Sequence, residues 1–345
     1  MTQRLLGGLS PRDFLRRHWQ KRPIFVRSAL PKIEPMPDRR ALAALAARDD
    51  VESRIVQRRG RRWETAHGPF RKISLGEKNS SLLVSGVNLH VPAADRLLRR
   101  FDFIPQARLD DVMISYATPG GGVGPHVDSY DVFLIQGEGI RKWTIWSPDH
   151  SKKTSCIANP GDLLYLPPGW KHDGVALEPC FTYSIGFRAP RGAELGAAFL
   201  DYLHERGLPD AVYRDPELSL TKQTARVPAR MLSFAINTLK RIRWSRSDAV
   251  RLMGEYLTQP KPHVVFRPTH ARGTWIRLDP KTQLLYSGET FFINGEVFAV
   301  PQRQRDAMRR LADRRCADAA GLAGLAKLIG EWRRAGYVHL GKHDG

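Results

Sequence analysis

The hydrophobic pattern of the chain changes character twice. Near the start, Ser10-Pro11-Arg12-Asp13 has the form of a helix start, with Ser at the N-cap, Pro at the first helical position and an acid at the third. Phe14, Leu15 and Trp19 follow at helical spacing. Pro23 ends that helix and PIFVRSAL reads as a strand, after which short helices and strands alternate to about residue 100. From 108 to 190 the texture becomes short apolar runs separated by Gly, Pro and Asp: DDVMISYA, DVFLIQG, KWTIW, DLLYLP and FTYSIGF. Closely spaced short strands with turn signals predict an all-β barrel or sandwich. Residues 191–206 return to helical spacing, with Leu195, Phe199, Tyr202 and Leu203 on one face. A Pro- and charge-rich stretch, 207–230, connects to the last part. There, RMLSFAINTLKRI and SDAVRLMGEYLTQ predict helices. TWIRL, QLLYS and TFFINGEVFAV predict strands, the last folded at Asn294-Gly295 as a tight hairpin. RQRDAMRRLADRR and GLAGLAKLIGEWRRAG predict further helices, and YVHL a closing strand. Helices, then strands, then helices suggest a small winged-helix-like domain.

Composition narrows the class. At roughly 150 residues per domain, 345 residues suggest two domains, or one large core with an appendage. A hydrophobic fraction of 42% supports a real core. No run of about 18 uncharged apolar residues occurs, so neither a membrane span nor an apolar leader is expected. Cys156, Cys180 and Cys316 are scattered, odd in number and without a CxxC, which points away from a disulfide framework or zinc site and toward a reducing cytoplasm. The net charge of +20, from 55 basic against 35 acidic residues, favours anionic partners. The basic residues are spread out, so solvated helix faces explain the charge equally well.

The chemistry gathers at two motifs. In Gly120-Gly121-Gly122-Val123-Gly124-Pro125-His126-Val127-Asp128 the glycines and proline make a loop that delivers His126 and Asp128 to the start of a strand. Side chains at i and i+2 share a strand face, so the two can grip one ion while Val127 packs the other way. A lone HxD is weak, since a solvated or core histidine is the commoner outcome. The second motif strengthens it: Pro160-Gly161-Asp162 opens a strand, Pro167-Pro168 stops it, and His172 enters the next. Two histidines and a carboxylate make the facial triad of non-haem Fe(II) oxygenases, with three positions left for cosubstrate and O₂. Arg141, in IQGEGIRKWTIW, is a basic residue on an apolar strand. Either it is a surface residue on an edge strand, or it meets a buried anion such as the distal carboxylate of 2-oxoglutarate. Ser115, in VMISY, either bonds backbone or adds a second donor to that carboxylate.

DFLRRHWQKRP, MISYATPGGGVGPHVDSYDVFLIQGEGIRKW, PGDLLYLPPGWKHDG and YSIGFRAP together resemble the bacterial JmjC-type ribosomal oxygenases, most nearly the arginine hydroxylases of the sixteenth large-subunit ribosomal protein. The resemblance covers residues 11 to about 205 well and the C-terminal third weakly. It implies a mainly β fold with α elements: a double-stranded β-helix (cupin/JmjC) barrel in 1–190, a helical dimerisation segment in 191–258 and a winged-helix-like domain in 259–345. It implies Fe(II) at His126, Asp128 and His172, with 2-oxoglutarate as cosubstrate on Arg141 helped by Ser115. It further implies a ribosomal-protein substrate, a homodimer and no membrane partner. The interval between Trp143 and Pro160 is shorter than the family pattern and has room for a turn and one short strand, so a barrel edge is either trimmed or lost.

An arginine substrate would need an acceptor-rich, aromatic-lined slot, for which Tyr130, Asp131 and Glu138 lie close in sequence. The +20 charge opposes a basic ribosomal protein at long range, so either the slot is locally acidic or the surface meets ribosomal RNA. Rival readings are a related oxygenase acting on a histidine or methyl-lysine, and a weakly catalytic RNA-binding assembly factor. Slot chemistry separates the first, and the placement of Arg141 and His172 the second.

Overall fold

The computed structural model describes residues 2–74 and 76–341, so the last positions of the expected C-terminal domain, 342–345, lie outside the described residues. The chain separates into two compact units. One takes everything up to Ala189 together with Pro260–Thr282 and the chain from Asp306 onward; the other takes Pro190–Gln259 and Gln283–Arg305.

In the first unit the expected helix forms at Pro11–Arg17. Ser10 Oγ accepts the Asp13 N–H at 3.0 Å and donates to the Asp13 carboxylate at 2.7 Å. Its apolar face delivers Phe14, fully buried, against Tyr165 at 5.0 Å and Phe133 at 5.5 Å between ring centroids. The following strand is only β1 (Ile24–Val26), which pairs antiparallel with β9 below. Next come the hairpin β2 (Ser53–Arg59) and β3 (Arg62–His67), then β4 (Ser80–Val84).

The predicted barrel strands follow: β5 (Leu109–Ala117), β6 (Val132–Gln136), β7 (Arg141–Trp146), β8 (Lys153–Ala158), β9 (Leu163–Leu166), β10 (Lys171–Ala176) and β11 (Cys180–Phe187). They form an eight-stranded sheet in the order β1-β9-β6-β11-β5-β4-β2-β3 and a three-stranded sheet β10-β7-β8. An isolated bridge between His126 and His172 adds the HxD segment beside β10. The chain therefore alternates between two sheets: β5, then His126–Asp128 across, β6 back, β7 and β8 across, β9 back, β10 across, β11 back. That alternation is the double-stranded β-helix. The period-2 pattern follows from it. On β5, Val112, Ile114 and Tyr116 enter the main core, and Asp111, Met113 and Ser115 face a cavity between the sheets.

The short interval after Trp143 keeps its strand. β8 pairs with β7 from Arg141↔Ala158 to Trp146↔Lys153. The turn is tight because Ser147 staples it: its hydroxyl donates to Asp149 at 2.5 Å and accepts the Lys152 N–H at 2.9 Å.

The later strands are β12 (Trp275–Leu278), β13 (Leu284–Ser287), β14 (Thr290–Ile293), β15 (Glu296–Phe298), β16 (Cys316–Asp318) and β17 (Val338–Gly341). In the first unit β12 sits between β16 and β17, and the helices Arg305–Arg314 and Ala326–Ala335 bury Met308, Leu311, Ile329 and Trp332. In the second unit β13-β14-β15 form a meander whose last turn is Asn294-Gly295, at φ 49° and 90°, as a two-residue hairpin demands. The helix Arg246–Thr258 packs on it, with Gly254 against the Phe292 ring. The helix Gly192–Glu205 buries Tyr202, whose hydroxyl donates to Asp248 at 3.1 Å. No helix among the described residues is long and apolar enough to cross a membrane.

Candidate metal centre

His126, Asp128 and His172 converge. Their candidate ligand atoms all lie within 4.8 Å of one another. Asp128 Oδ1 is 3.9 Å from His126 Nε2, and Oδ2 is 3.6 Å from His172 Nε2. Adjacent ligands on one first-row ion lie about 3 Å apart for bonds of about 2.1 Å, so the donors are close to closing on one. Backbone pairing sets this: the His126 N–H donates to His172 O at 3.0 Å and the His172 N–H returns to His126 O at 2.9 Å. The ring orientations follow a second rule. His126 Nδ1 is 2.9 Å from Gly124 O, and His172 Nδ1 is 2.9 Å from Trp170 O. A carbonyl only accepts, so each Nδ1 carries the proton and each Nε2 turns its lone pair toward the centre. Burial, and then the neighbouring His126, hold the His172 imidazole below its ordinary range, in the neutral form a metal requires.

The glycines of the preceding loop have a steric reason. The indole of Trp63, on β3, lies over the loop. A Cβ on Gly124, which sits at φ +81°, would come within 2.7 Å of Trp63 Nε1, and one on Gly122 within 2.5 Å of Gly174 O. The carbonyl that orients His126 is Gly124's own, so the tight approach of Trp63 also aims the ligand.

The triad opens into a cavity of about 550 Å³. Arg141 reaches it from β7 and is 4% exposed, so it is no surface residue. Its guanidinium stands 5.7 Å over Trp143 and donates to Cys180 Sγ at 3.7 Å, while Nε has no partner among the described residues. A buried guanidinium whose contacts among the described residues are a thiol and a ring face is prepared for an anion. Ser115 lines the same cavity and is buried; its hydroxyl donates to Thr182 O at 3.4 Å, a long bond that leaves it able to turn.

Of the residues near the motif, Tyr130 lines the cavity. Asp131 does not. It is fully buried beneath, accepting from Tyr165 Oη at 2.6 Å, Gln20 Nε2 at 3.0 Å and Arg108 at 3.2 Å, and so ties the N-terminal helix region to the barrel. Glu138 lies on the exposed turn between β6 and β7, outside the lining. The acidic acceptors at the cavity, besides Asp128, are instead Glu52 and, on β5, Asp110 and Asp111. Burial pushes Asp111 up to about 6, with Lys261 pulling the other way, and its carboxylate accepts the Gly86 N–H at 2.7 Å. The double acid opening the DDVMISY strand was a visible signal. Trp63, on a polar hairpin, was a fainter one, and Lys261, far downstream, left none.

Two family models match in order: a JmjC domain over residues 96–195 and a ROXA-like winged helix over 241–337. The Escherichia coli ribosomal protein uL16 3-hydroxylase is 45% identical over 226 residues, 60% of each chain. A probable ribosomal oxygenase of Haemophilus influenzae is 34% identical over 62% of this chain and 56% of its own. These alignments span less than two thirds of either relative. The solved structure of YcfD, a ribosomal oxygenase from Escherichia coli, aligns over 96% of this chain and 98% of its own, at 33% identity and a TM-score of 0.81. A second, of YcfD with cobalt and 2-oxoglutarate, aligns at a TM-score of 0.80 over the same shares. With both domains matched in order and a solved relative covered almost end to end, the chain belongs to the bacterial JmjC-type ribosomal oxygenases.

Proposed function

We propose that the protein is an Fe(II)- and 2-oxoglutarate-dependent hydroxylase of an arginine side chain in the large-subunit ribosomal protein uL16. The observation that carries it is the convergence, in one cavity, of a His-Asp-His triad, a buried guanidinium with no ion pair among the described residues, and an acidic wall. His126, Asp128 and His172 would hold the iron, and Arg141 with Ser115 the distal carboxylate of the cosubstrate. When bound, these groups supply an O₂-derived oxidant that converts C–H to C–OH and leaves succinate and CO₂.

The chain's own residues do the rest. The Nδ1 bonds to Gly124 and Trp170 fix the two imidazoles before any ion arrives, which is pre-organisation rather than induced fit. Asp111 and the Tyr130 ring make a slot for a planar cation: a carboxylate pairs with a guanidinium through parallel hydrogen bonds, and the ring stacks on its face. A neutral imidazole gains little from Asp111, so the acidic wall favours arginine over histidine. It also answers the charge conflict, because attraction is local while the +20 surface is screened beyond about 8 Å at physiological salt. Purified protein with Fe(II), 2-oxoglutarate and a uL16 peptide should give a +16 Da arginine. A peptide that stays unmodified while succinate accumulates would remove the substrate assignment.

The proposal includes two partners. A second copy would cover the helix Ala229–Leu239, which buries none of its residues and exposes Leu232, Ile236 and Leu239 by half or more. Light scattering that returns a monomer would overturn this. Ribosomal RNA would meet the Arg-rich helix Arg305–Arg314, whose apolar side is already used by buried Met308 and Leu311, leaving its arginines at the surface side.

A further inference from the structure

The cavity already contains a cation. Lys261 lines it, with Nζ 3.2 Å from Asp110 Oδ1, and Arg188 Nε stands 3.4 Å from the same oxygen. Asp111, next along β5, accepts only a neutral backbone donor among the described residues, Gly86 N–H. The two neighbouring carboxylates are thus treated unequally: one is neutralised by two side chains, and the other is kept for the cavity. We propose that Lys261 sets the charge of the arginine slot, pairing with Asp110 so that Asp111 is the β5 carboxylate presented to an incoming guanidinium. This rests on the reading of the cavity as an arginine slot.

The physical argument is like-charge repulsion. The Asp110 charge repels that of Asp111 and favours the protonated form of the less neutralised of the two. The charged or titratable groups around Asp111 are Asp110 beside it with its partner Arg188, Glu52, Arg54, His67 and Tyr130 on the same cavity wall, Asp128 of the triad, and Lys261. Of these, Lys261 is the one that both neutralises Asp110 and attracts Asp111 directly. Burial opposes the Lys261 charge, but Asp111 and Asp110 together outweigh it and hold the ammonium above its ordinary range, so it stays charged throughout the working pH. Asp111 already sits near 6. Without Lys261 its midpoint climbs toward neutrality, and the slot loses its charge where the protein works.

The test uses Lys261→Met, Lys261→Arg, Asp110→Asn and the Lys261→Met/Asp110→Asn double variant of the full chain. For an arginine peptide, the acid limb of kcat/KM should move up by about one pH unit in Lys261→Met. Near pH 6 the peptide KM should then rise about five-fold, because the ionised fraction falls from about one half to about one tenth. Above pH 8 the difference should vanish or reverse, an effect a merely structural role would not produce. Lys261→Arg should restore the limb, and the double variant should restore it in part, since the repulsion from Asp110 is gone while the direct pull of Lys261 on Asp111 is still missing. Carbon-13 titration of aspartate carboxylates, with zinc in the triad, reads the Asp111 midpoint without any substrate. An unmoved midpoint in Lys261→Met, or a double variant shifted as far as Lys261→Met alone, overturns the proposal. A wild-type protein that ignores arginine peptides while Asp111 still responds to Lys261 overturns the slot assignment and leaves the charge coupling standing.

Discussion

Arg141 offers the sharpest test, because the same side chain should move stability and affinity in opposite directions. It is 4% exposed, its Nε lacks a partner among the described residues, and its other contacts are Cys180 Sγ at 3.7 Å and the Trp143 ring at 5.7 Å. In the protein without cosubstrate this buried charge makes no ion pair among the described residues, with Asp173 the carboxylate that feels it at longer range, and an unsatisfied buried polar group costs about 1–3 kcal/mol, more when charged. With 2-oxoglutarate present it becomes half of a buried ion pair, and removing one partner of such a pair costs about 3–5 kcal/mol. Arg141→Met keeps the length and the packing on Trp143 but loses the charge. The cosubstrate-free variant should therefore melt a few degrees higher, at about 2 °C per kcal/mol for a chain of this size. Its apparent KM for 2-oxoglutarate should rise about 10² to 10³·⁵-fold, at about 1.4 kcal/mol per tenfold. Differential scanning fluorimetry with and without 2-oxoglutarate, beside succinate production as a function of 2-oxoglutarate, reads both. The wild type should be stabilised by the cosubstrate and the variant should not. A variant that melts lower and keeps the wild-type KM would refute the assignment, since Arg141 would then be satisfied within the protein.

Four further outcomes follow from the geometry. Asp128→Ala should abolish succinate production while leaving the circular dichroism spectrum of the barrel unchanged, and retained turnover would remove Asp128 from the triad. Gly124→Ala strains a residue at φ +81° and drives a methyl group into Trp63, so metal affinity by titration should fall about 10- to 100-fold through loss of the His126 orientation; an unchanged affinity would mean that the loop yields without moving the histidine. The Asp111 carboxylate, raised to about 6, is charged above that pH and protonated below it, so kcat/KM for an arginine peptide should fall as the pH drops through 6. In Asp111→Asn that limb should disappear and the peptide KM rise about ten-fold or more through loss of a charge-assisted bond; a limb that survives belongs to another group. Neutralising arginines of the helix Arg305–Arg314 should weaken binding to ribosomal RNA fragments and flatten its salt dependence by about 0.7–0.9 in log–log slope for each phosphate no longer neutralised, and weak binding already at low salt would leave the +20 charge without an RNA role.

Local sequence carried the elements whose physics is local. Ser10-Pro11-Arg12-Asp13 specifies its own helix start because the cap bonds a donor three residues on. Asn294-Gly295 specifies its hairpin because both positions need positive φ. The His126-Val127-Asp128 spacing pointed to one ion, although the expected strand start is only an isolated bridge at His126 with Val127 exposed, and the second histidine lay in a turn–strand–turn motif distinctive enough to join them. What sequence left open was decided by pairings between distant residues. Ile24 meets Tyr165 across the sheet, and Asp131, a candidate slot residue by proximity, is drawn instead under the barrel by Gln20, Arg108 and Tyr165. Trp63 supplies the reason for glycine at 124 from another hairpin. Lys261 enters the cavity from far downstream, with no periodicity or motif to announce it. Arg141 stood between edge-strand surface and buried anchor until the opposite sheet closed over its face of β7, because burial is a property of the assembled sheets and not of the strand that carries the residue.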